Sequence, residues 1–384
     1  MLSKILKDPT LCIISILAII SMFIVKPSSE YLGYIDFKVL SQLFCLMTAV
    51  SCLTDCGLFY RLSFMITQKI KSKAVISALL IFSCFFLSMW ITNDVSLITF
   101  VPFTILILST ADGRSYLIFT IIMETAAANL GSMCTPIGNP QNLLIYSISN
   151  MSIGSFISTM FPITIISFLI IFCFTIAVLY VKHLKNFKVK YDSHGILTTV
   201  PQDMAIPSKI KLWPSSLFIL LFIISLLSVL RIADYRAVLA IVTLTVLIVR
   251  PSVFKKTDYS LLFTFIAFFI FVGNIKHMEM ISSFLLNNLK GNEIVISIIA
   301  SQLISNVPAA VLLSGFTENY RAIMLGTDVG GLGTLIASMA SLISYKIYVS
   351  DAGSNKLCYI IYFTIINFLF LAMLFIALIL MHAV

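Results

Sequence analysis

Charged residues are scarce in this chain of 384 residues: Asp, Glu, Lys and Arg make up 11% of it, whereas hydrophobic residues make up 60%. Soluble domains carry about 25% charged residues, because a folded domain needs a polar surface. The deficit excludes a soluble enzyme, a disordered chain and a nucleic-acid-binding module. The sequence therefore predicts an all-α polytopic membrane protein, whose partner is the lipid bilayer and not a nucleic acid.

Motifs of catalysis and metal binding are also lacking. The chain has only four His, and it contains neither the HExxH motif of zinc proteases nor the P-loop of ATPases. Its eight Cys lie in or beside apolar stretches, and no His stands near the pair Cys52 and Cys56. We interpret these Cys as packing residues. The sequence predicts a protein that is not an enzyme and that has no cofactor.

Long apolar runs predict membrane-spanning helices, since a helical span needs about 20 apolar residues and rarely fewer than about 17. The N-terminal run is interpreted as a retained first helix, because no cleavage site of a signal peptide follows it. The predicted spans are 10–25, 37–60, 156–181, 215–230, 236–250, 258–275 and 357–380.

Two further apolar regions are interrupted by short polar runs. Region 74–110 contains Thr92-Asn93-Asp94, and region 292–316 contains Ser305-Asn306 followed by Val307 and Pro308. Each apolar arm is interpreted as short for a complete crossing. We therefore predict two re-entrant helical hairpins, each with its polar tip at the middle of the membrane.

Regions 115–149 and 322–349 break at Gly- and Asn-rich centres, which predicts two discontinuous helices. Irregular backbone at membrane depth is tolerated only where it lines a cavity or is buried in protein. The two breaks also resemble each other, as the two hairpin tips do. Matched residues at one constant offset are Gly131 with Gly330, Thr135 with Thr334 and Ile137 with Ile336.

In each half a hairpin precedes a broken helix and one long helix follows, so we predict two repeats. The predicted units are a first repeat (1–181), a cytoplasmic basic loop (182–214), a connector helix (215–235) and a second repeat (236–384).

The basic residues orient these elements. The net charge is +9, and Lys and Arg collect on cytoplasmic loops of membrane proteins. With the N-terminus inside and the C-terminus outside, most of the 25 Lys and Arg fall on the cytoplasmic side. This topology inverts the second repeat relative to the first, an arrangement typical of secondary transporters. The predicted location is the plasma (inner) membrane.

Hairpin tips and helix breaks expose unpaired backbone groups at mid-membrane. N-terminal helix ends attract anions, whereas unwound carbonyls and C-terminal ends attract Na⁺. We predict that both tips and both breaks enclose one site, with Asn93 and Asn306 as candidate Na⁺ ligands. The site candidates are Thr92, Asn93, Asp94, Asn129, Gly131, Thr135, Gly138, Asn139, Asn142, Ser305, Asn306, Asp328, Gly330, Thr334 and Ser338.

Five acidic residues fall within or beside the apolar regions. Acidic side chains inside a bilayer are costly and are functional hypotheses by default. Asp94 and Asp328 lie in the predicted site, and Glu124 is predicted to lie one helical turn before the first break, so these three are candidates for coupling. Asp55, near a helix end, is interpreted as a residue that caps or pairs locally, and Asp112, beside Arg114 at the cytoplasmic edge, as a solvated turn residue.

The run from Gly131 to Asn142 resembles the first unwound-helix motif of the ion transporter superfamily. This group contains citrate and dicarboxylate–sodium symporters, arsenite permeases and NhaD-type sodium/proton antiporters. Thr92-Asn93-Asp94 and Ser305-Asn306 resemble the group's hairpin tips. The resemblance covers nearly the whole chain, and it implies a citrate-transporter-like permease that works by alternating access.

The tips depart from the dicarboxylate branch, in which both typically contain Ser-Asn-Thr. Here Asp94 and Val307 occupy the third positions. An Asp at the tip resembles arsenite permeases and antiporters, whereas the run from Gly138 to Asn142 resembles citrate-type permeases. Two functions follow: a transporter of a small anion or oxyanion coupled to Na⁺ or H⁺, or a cation/proton antiporter or arsenite efflux permease. The sequence leaves the substrate, the coupling ion and a homodimer open.

Overall fold

The computed structural model describes residues 9–59, 61, 65, 70, 72–109, 113–189, 212–351 and 353–381. Within these ranges the chain is all-α, with no β-strand. The α-helices are α1 (Pro9–Ile24), α2 (Tyr31–Tyr34), α3 (Phe37–Asp55), α4 (Lys73–Ile91), α5 (Asn93–Leu108), α6 (Arg114–Ser132), α7 (Pro140–Ile148), α8 (Ile153–Val189), α9 (Leu212–Val229), α10 (Tyr235–Val249), α11 (Tyr259–Lys276), α12 (Glu279–Leu289), α13 (Glu293–Ile304), α14 (Asn306–Leu313), α15 (Tyr320–Val329), α16 (Met339–Val349) and α17 (Lys356–Leu380).

Five of the described helices are long and apolar enough to cross a membrane: α3, α4, α8, α11 and α17. Shorter apolar helices, among them α1, α9 and α10, occupy the other predicted spans. Large apolar side chains such as those of Phe23, Ile248 and Leu380 are exposed on the outside of the bundle. A bilayer covers such surfaces, whereas water would not tolerate them. The chain is therefore a multi-pass membrane protein, as predicted.

Several helices differ from the sequence prediction. Helix α3 ends at Asp55 and does not reach residue 60, because the chain turns at Gly57, which has a φ of 73°. Helix α8 continues to Val189, inside the predicted basic loop. Helix α12 was not predicted, since its apolar residues alternate with Ser and Asn. Residues 190–211 of the loop, and Asp112, lie outside the described residues.

Both predicted hairpins are present. At the open end of the first hairpin, Lys73 Nζ donates to the carbonyl oxygen of Ile107 over 3.4 Å. At the open end of the second, Thr317 Oγ1 donates to Glu293 Oε1 over 3.4 Å. The second hairpin has short arms of 12 and 8 residues. The prediction of short arms is wrong for α4, whose 19 residues are long enough for a full crossing.

A single residue makes the turn of each hairpin. Thr92 has φ 73° and ψ 149°, and Ser305 has φ 75° and ψ 153°. Residues other than Gly rarely adopt this region, and holding one there costs about 1–3 kcal/mol. The same strained conformation at both tips indicates that the surrounding contacts fix it.

One group of helix ends lies around Asp55, and we call it the Asp55 end. Asp55 closes α3 and forms ion pairs with Arg250 over 2.5 Å and with Lys256. The pairing is not the local one that was predicted, because both partners belong to the other half of the chain. A small cavity beside this helix end is also lined by Leu106, near the open end of the first hairpin.

The two broken helices also meet at one end. Arg114, the first residue of α6, pairs with Asp351, just beyond α16, over 3.4 Å. Arg114 follows the C-terminus of α5, and a Cβ atom on Gly113 would lie within 3 Å of Leu108. The ends of α5, α6 and α16 therefore belong to the Asp55 end.

A second group of helix ends lies opposite the Asp55 end, and we call it the Lys276 end. It surrounds a cavity of about 330 Å³. Its lining includes Tyr34, Ile148, Lys276, Ser314 and Tyr320, which come from α2, α7, α11, the end of the second hairpin and the start of α15. The two hairpins therefore open toward opposite ends. The contacts bring together helix ends that the predicted topology places on the same side of the membrane. Which of the two ends faces the cytoplasm stays a prediction.

Cysteine labelling tests that assignment. In intact cells, an impermeant thiol reagent should label a Glu318→Cys variant, at the Lys276 end, and should label Ser350→Cys, at the Asp55 end, only after permeabilisation. Both residues are exposed, and the positive-inside rule places the Asp55 end inside. The parent chain measures the background from its own Cys. The opposite pattern would contradict the predicted orientation.

Candidate functional site

Each hairpin tip is docked onto the break of its own half by the same backbone hydrogen bond. The amide of Asn93 donates to the carbonyl oxygen of Gly138 over 3.0 Å, and the amide of Asn306 donates to that of Ala337 over 2.9 Å. The two acceptors, like the two donors, occupy matched positions of the sequence. These bonds satisfy backbone groups that an irregular segment at membrane depth would otherwise leave unpaired.

Two matched Thr residues repeat this docking. Thr135 Oγ1 donates to the carbonyl oxygen of Met89 over 2.5 Å. Thr334 Oγ1 donates to the carbonyl oxygen of Gln302 over 3.3 Å. Both hydroxyl protons are therefore used on the hairpin backbone. Thr135 and Thr334 were predicted as binding residues, and in the structure their hydroxyls hold the breaks against the hairpins.

Matched glycines allow the close approach. A Cβ atom at Gly131 would collide with the carbonyl oxygen of Phe85, and one at Gly330 would lie 2.9 Å from the Cα of Ile298. A Gly allows another backbone segment to approach closely because it lacks a side chain. Gly131 and Gly330 thus serve packing between the breaks and the first arms of the hairpins.

The two breaks are joined to each other at the centre of the protein. Asn139 Nδ2 donates to Asp328 Oδ1 over 2.9 Å, and Ser338 Oγ donates to Asn129 Oδ1 over 3.0 Å. Asn139 and Ser338 are matched positions, as are Asn129 and Asp328. The contact is therefore reciprocal, as it is at an interface with two-fold symmetry. All four side chains are at least 96% buried.

Asn129 also joins the first tip to this centre. Its Oδ1 accepts from Asn93 Nδ2 over 3.1 Å, and its own Nδ2 has no partner in the described part of the chain. The Oδ1 of Asn93 accepts from the amide of Asp94 over 3.0 Å, and the Oδ1 of Asn306 accepts from that of Val307 over 3.0 Å. Both tip Asn side chains thus fold back onto their own helix N-termini.

Asp328 is the most enclosed acid of the centre. Its Oδ1 accepts from Asn139 and also from Gln141 Nε2 over 3.0 Å. Asn142, the next residue, donates to the carbonyl oxygen of Met133 over 3.4 Å. Gln141 was not predicted as a site residue, although it lies inside the quoted Gly-Asn-Pro-Gln-Asn run.

Gln302 is a second residue that the sequence prediction missed. Its Nε2 donates to the carbonyl oxygens of Gly330 (2.7 Å) and Leu332 (2.8 Å), and its Oε1 accepts from the amide of Thr334 over 2.9 Å. It caps the second break with one side chain. Its position three residues before Ser305 is the signal that could have drawn attention to it.

The two other coupling candidates lie differently. Glu124 is fully buried and accepts from Thr104 Oγ1 over 2.5 Å. It precedes the end of α6 by eight residues, or about two turns, so the prediction of one turn is wrong. Asp94 is half-buried directly after Asn93, and its matched position in the second tip is Val307.

The cavity at the Lys276 end approaches this centre along two helices. Leu144 lies five residues after Asn139 on α7, and Val311 lies five residues after Asn306 on α14; both line the cavity. Five helical residues span about 7.5 Å. Within the described residues, no group of three or more His, Cys, Asp or Glu could hold a metal ion.

Comparisons with known proteins identify the family of this chain. Residues 1–324 match the protein family described as Citrate transporter. The chain belongs to this family. It is 35% identical over 322 residues to the uncharacterized transporter MJ0456 of Methanocaldococcus jannaschii, covering 83% of each chain. It is 27% identical over 332 residues to the inner membrane protein YbiR of Escherichia coli K12, covering 85% of this chain and 84% of that one.

Membership in the citrate transporter family makes the chain a membrane transporter. The matched region contains both docked tips and the first break. The match ends at residue 324, before the second break. Contacts with Asn129 and Asn139 join the second break to the first.

The close approach at Gly131 gives a stability prediction for this citrate transporter homologue. Gly131→Ala should destabilise the folded protein by about 1–3 kcal/mol or more, because the added methyl overlaps a backbone oxygen that cannot move freely. Gly154→Ala is the matched control, since nothing lies closer than 3.9 Å to its Cβ position. Thermal unfolding in detergent measures both, and equal melting temperatures would contradict the close packing.

Proposed function

We propose that this protein is a secondary active transporter of a small, carboxylate-like anion or oxyanion, coupled to Na⁺ or H⁺ and working by alternating access. Family membership supports transport itself, and the buried centre supports the kind of solute. The observation that carries the proposal is the reciprocal contact of two broken helices, at which both hairpin tips are docked.

An anion is favoured by the helix ends that meet there. Four helices begin at the centre: α5 at Asn93, α7 at Pro140, α14 at Asn306 and α16 at Met339. Helix N-termini carry a partial positive charge and free N–H groups, which bind carboxylates and oxyanions. The unpartnered Nδ2 of Asn129 adds a buried donor.

Alternating access is favoured by the matched halves. We infer that 1–181 and 236–384 are inverted repeats, because the docking bonds and the central contacts recur at matched positions. The connector (215–235) and the basic loop (182–214) join them. Two similar halves that meet around one site can rock or slide between two nearly equivalent states, which exposes the site to each side in turn. The cavity at the Lys276 end supports access from that side.

The location follows from the same arrangement. We infer that the protein lies in the plasma (inner) membrane with its N-terminus inside and its C-terminus outside. The positive-inside rule supports this orientation.

The second candidate function is a cation/proton antiporter or an arsenite efflux permease. It is favoured by the acids Glu124 and Asp328, which are at least 98% buried in the two broken helices. Antiporters carry their cation or proton on such carboxylates. Transport of Na⁺ or protons in the absence of any transported anion would support this second candidate.

Uptake into liposomes that contain the purified protein tests the first proposal. We expect uptake of at least one of citrate, succinate, sulfate and arsenite, driven by a Na⁺ or a proton gradient. Asn93→Ala and Asn306→Ala should each lower the rate by about 10–100-fold, since lost hydrogen bonds to a charged solute cost about 1.5–3 kcal/mol. Asn288→Ala, on exposed α12, is the control and should transport normally. Wild-type rates in both tip variants would contradict the assigned site.

Asp94 provides a prediction about coupling. A carboxylate beside an anion would repel it unless the carboxylate binds a proton or a cation, so we assign Asp94 to the cation side of the cycle. Asp94→Asn should flatten the pH dependence of the rate or raise the Na⁺ concentration for half-maximal rate. Glu279→Gln, an exposed acid on α12, should change neither. If the pH profile, the Na⁺ profile and the rate of Asp94→Asn equal those of the wild type, Asp94 has no coupling role.

A further inference from the structure

Three buried side-chain oxygens at the centre have no hydrogen-bond donor among the described residues. They are Oδ2 of Asp328, Oε1 of Gln141 and Oδ1 of Asn142. These side chains are 2%, 1% and 0% exposed. A buried acceptor without a donor costs about 1–3 kcal/mol, so such groups call for an explanation.

The three oxygens belong to one cluster. Gln141 Nε2 donates to Oδ1, the other carboxylate oxygen of Asp328. The Oε1 of Gln141 therefore points away from that hydrogen bond. Asn142 also lies beside the Asp328 carboxylate, and its amide group is used on Met133. Unpartnered amide oxygens also occur on Asn274 and Asn367, in helices other than α7 and α15.

No basic side chain among the described residues compensates a charge on the Asp328 carboxylate. Asp55 and Asp351 pair with Lys or Arg, but none of the ion pairs among the described residues involves Asp328. A buried carboxylate needs a compensating charge or a proton. A bound cation would supply the charge that the described basic residues do not supply.

We propose that Asp328, Gln141 and Asn142 bind a Na⁺ ion where the two halves meet. The set contains oxygen atoms only, with one carboxylate and two amide oxygens, which suits a hard monovalent cation. Softer metals prefer His or Cys, and Ca²⁺ or Mg²⁺ usually takes more carboxylates. The chemistry of the set thus selects Na⁺.

This position differs from the one that the sequence predicted. Asn93 and Asn306 were the candidate Na⁺ ligands, but the Oδ1 of each accepts the amide of the following residue. At the new position the ion joins α15 of the second half to α7 of the first. Its coupling role rests on the proposed function, whereas its binding does not.

Thermal unfolding of the purified protein in detergent tests the site. We expect the melting temperature to rise by a few degrees with the logarithm of the Na⁺ concentration, because an ion that binds only the folded state stabilises it. Choline chloride at equal ionic strength supplies the comparison. Asp328→Asn should abolish the rise, and Gln141→Leu should raise the Na⁺ concentration for half-maximal effect by about tenfold or more. Asn367→Leu removes a buried amide elsewhere and should respond as the wild type does.

Direct binding of ²²Na⁺ to the wild type gives a second measurement that does not depend on the folding of a variant. A wild type that neither binds ²²Na⁺ nor responds to Na⁺ overturns the proposal, as does an Asp328→Asn variant with an intact response. A response to pH alone that Asp328→Asn removes would assign a proton in place of Na⁺. Na⁺ binding without uptake of any tested anion would refute the proposed function and leave this site standing.

Discussion

Backbone groups that are buried away from water need partners inside the protein, and this constraint shapes its centre. Two helices are broken there and two hairpins turn there, so unpaired N–H and C=O groups accumulate. The docking bonds from Asn93 to Gly138 and from Asn306 to Ala337 remove part of that deficit. The glycines permit the hairpins to approach the breaks closely, and the strained tip residues make the turns at these contacts. Both features follow from the need to pair the backbone groups.

The side chains at the centre then connect the halves. Because Asn139 reaches Asp328 and Ser338 reaches Asn129, each break completes a polar contact that the other begins. Such buried contacts are costly if only partly satisfied. At the unpartnered atoms beside them, the polar contact between the two breaks stays incomplete.

The sequence predicts the class, the broken helices, the hairpins and the pairing of the tips, because each leaves a local signal in polarity or in matched residues. It does not predict α12, whose apolar face is short, or the cross-half ion pair of Asp55. It does not show that the hydroxyls of Thr135 and Thr334 bond to the hairpins, since a hydroxyl used for docking and one that faces a solute look the same in a sequence. Only packing distinguishes Gln141 and Gln302 from other polar residues.

The two halves differ in how their breaks are supported. The first break is braced from within, because Asn139 reaches Ser132 and Asn142 reaches Met133. The second break is rich in Gly and has no such side chains, so Gln302 of the hairpin supplies them. Separating hairpin from break therefore costs more hydrogen bonds in the second half than in the first. Matched sequences thus yield a centre in which the second hairpin is tied more tightly to its break than the first.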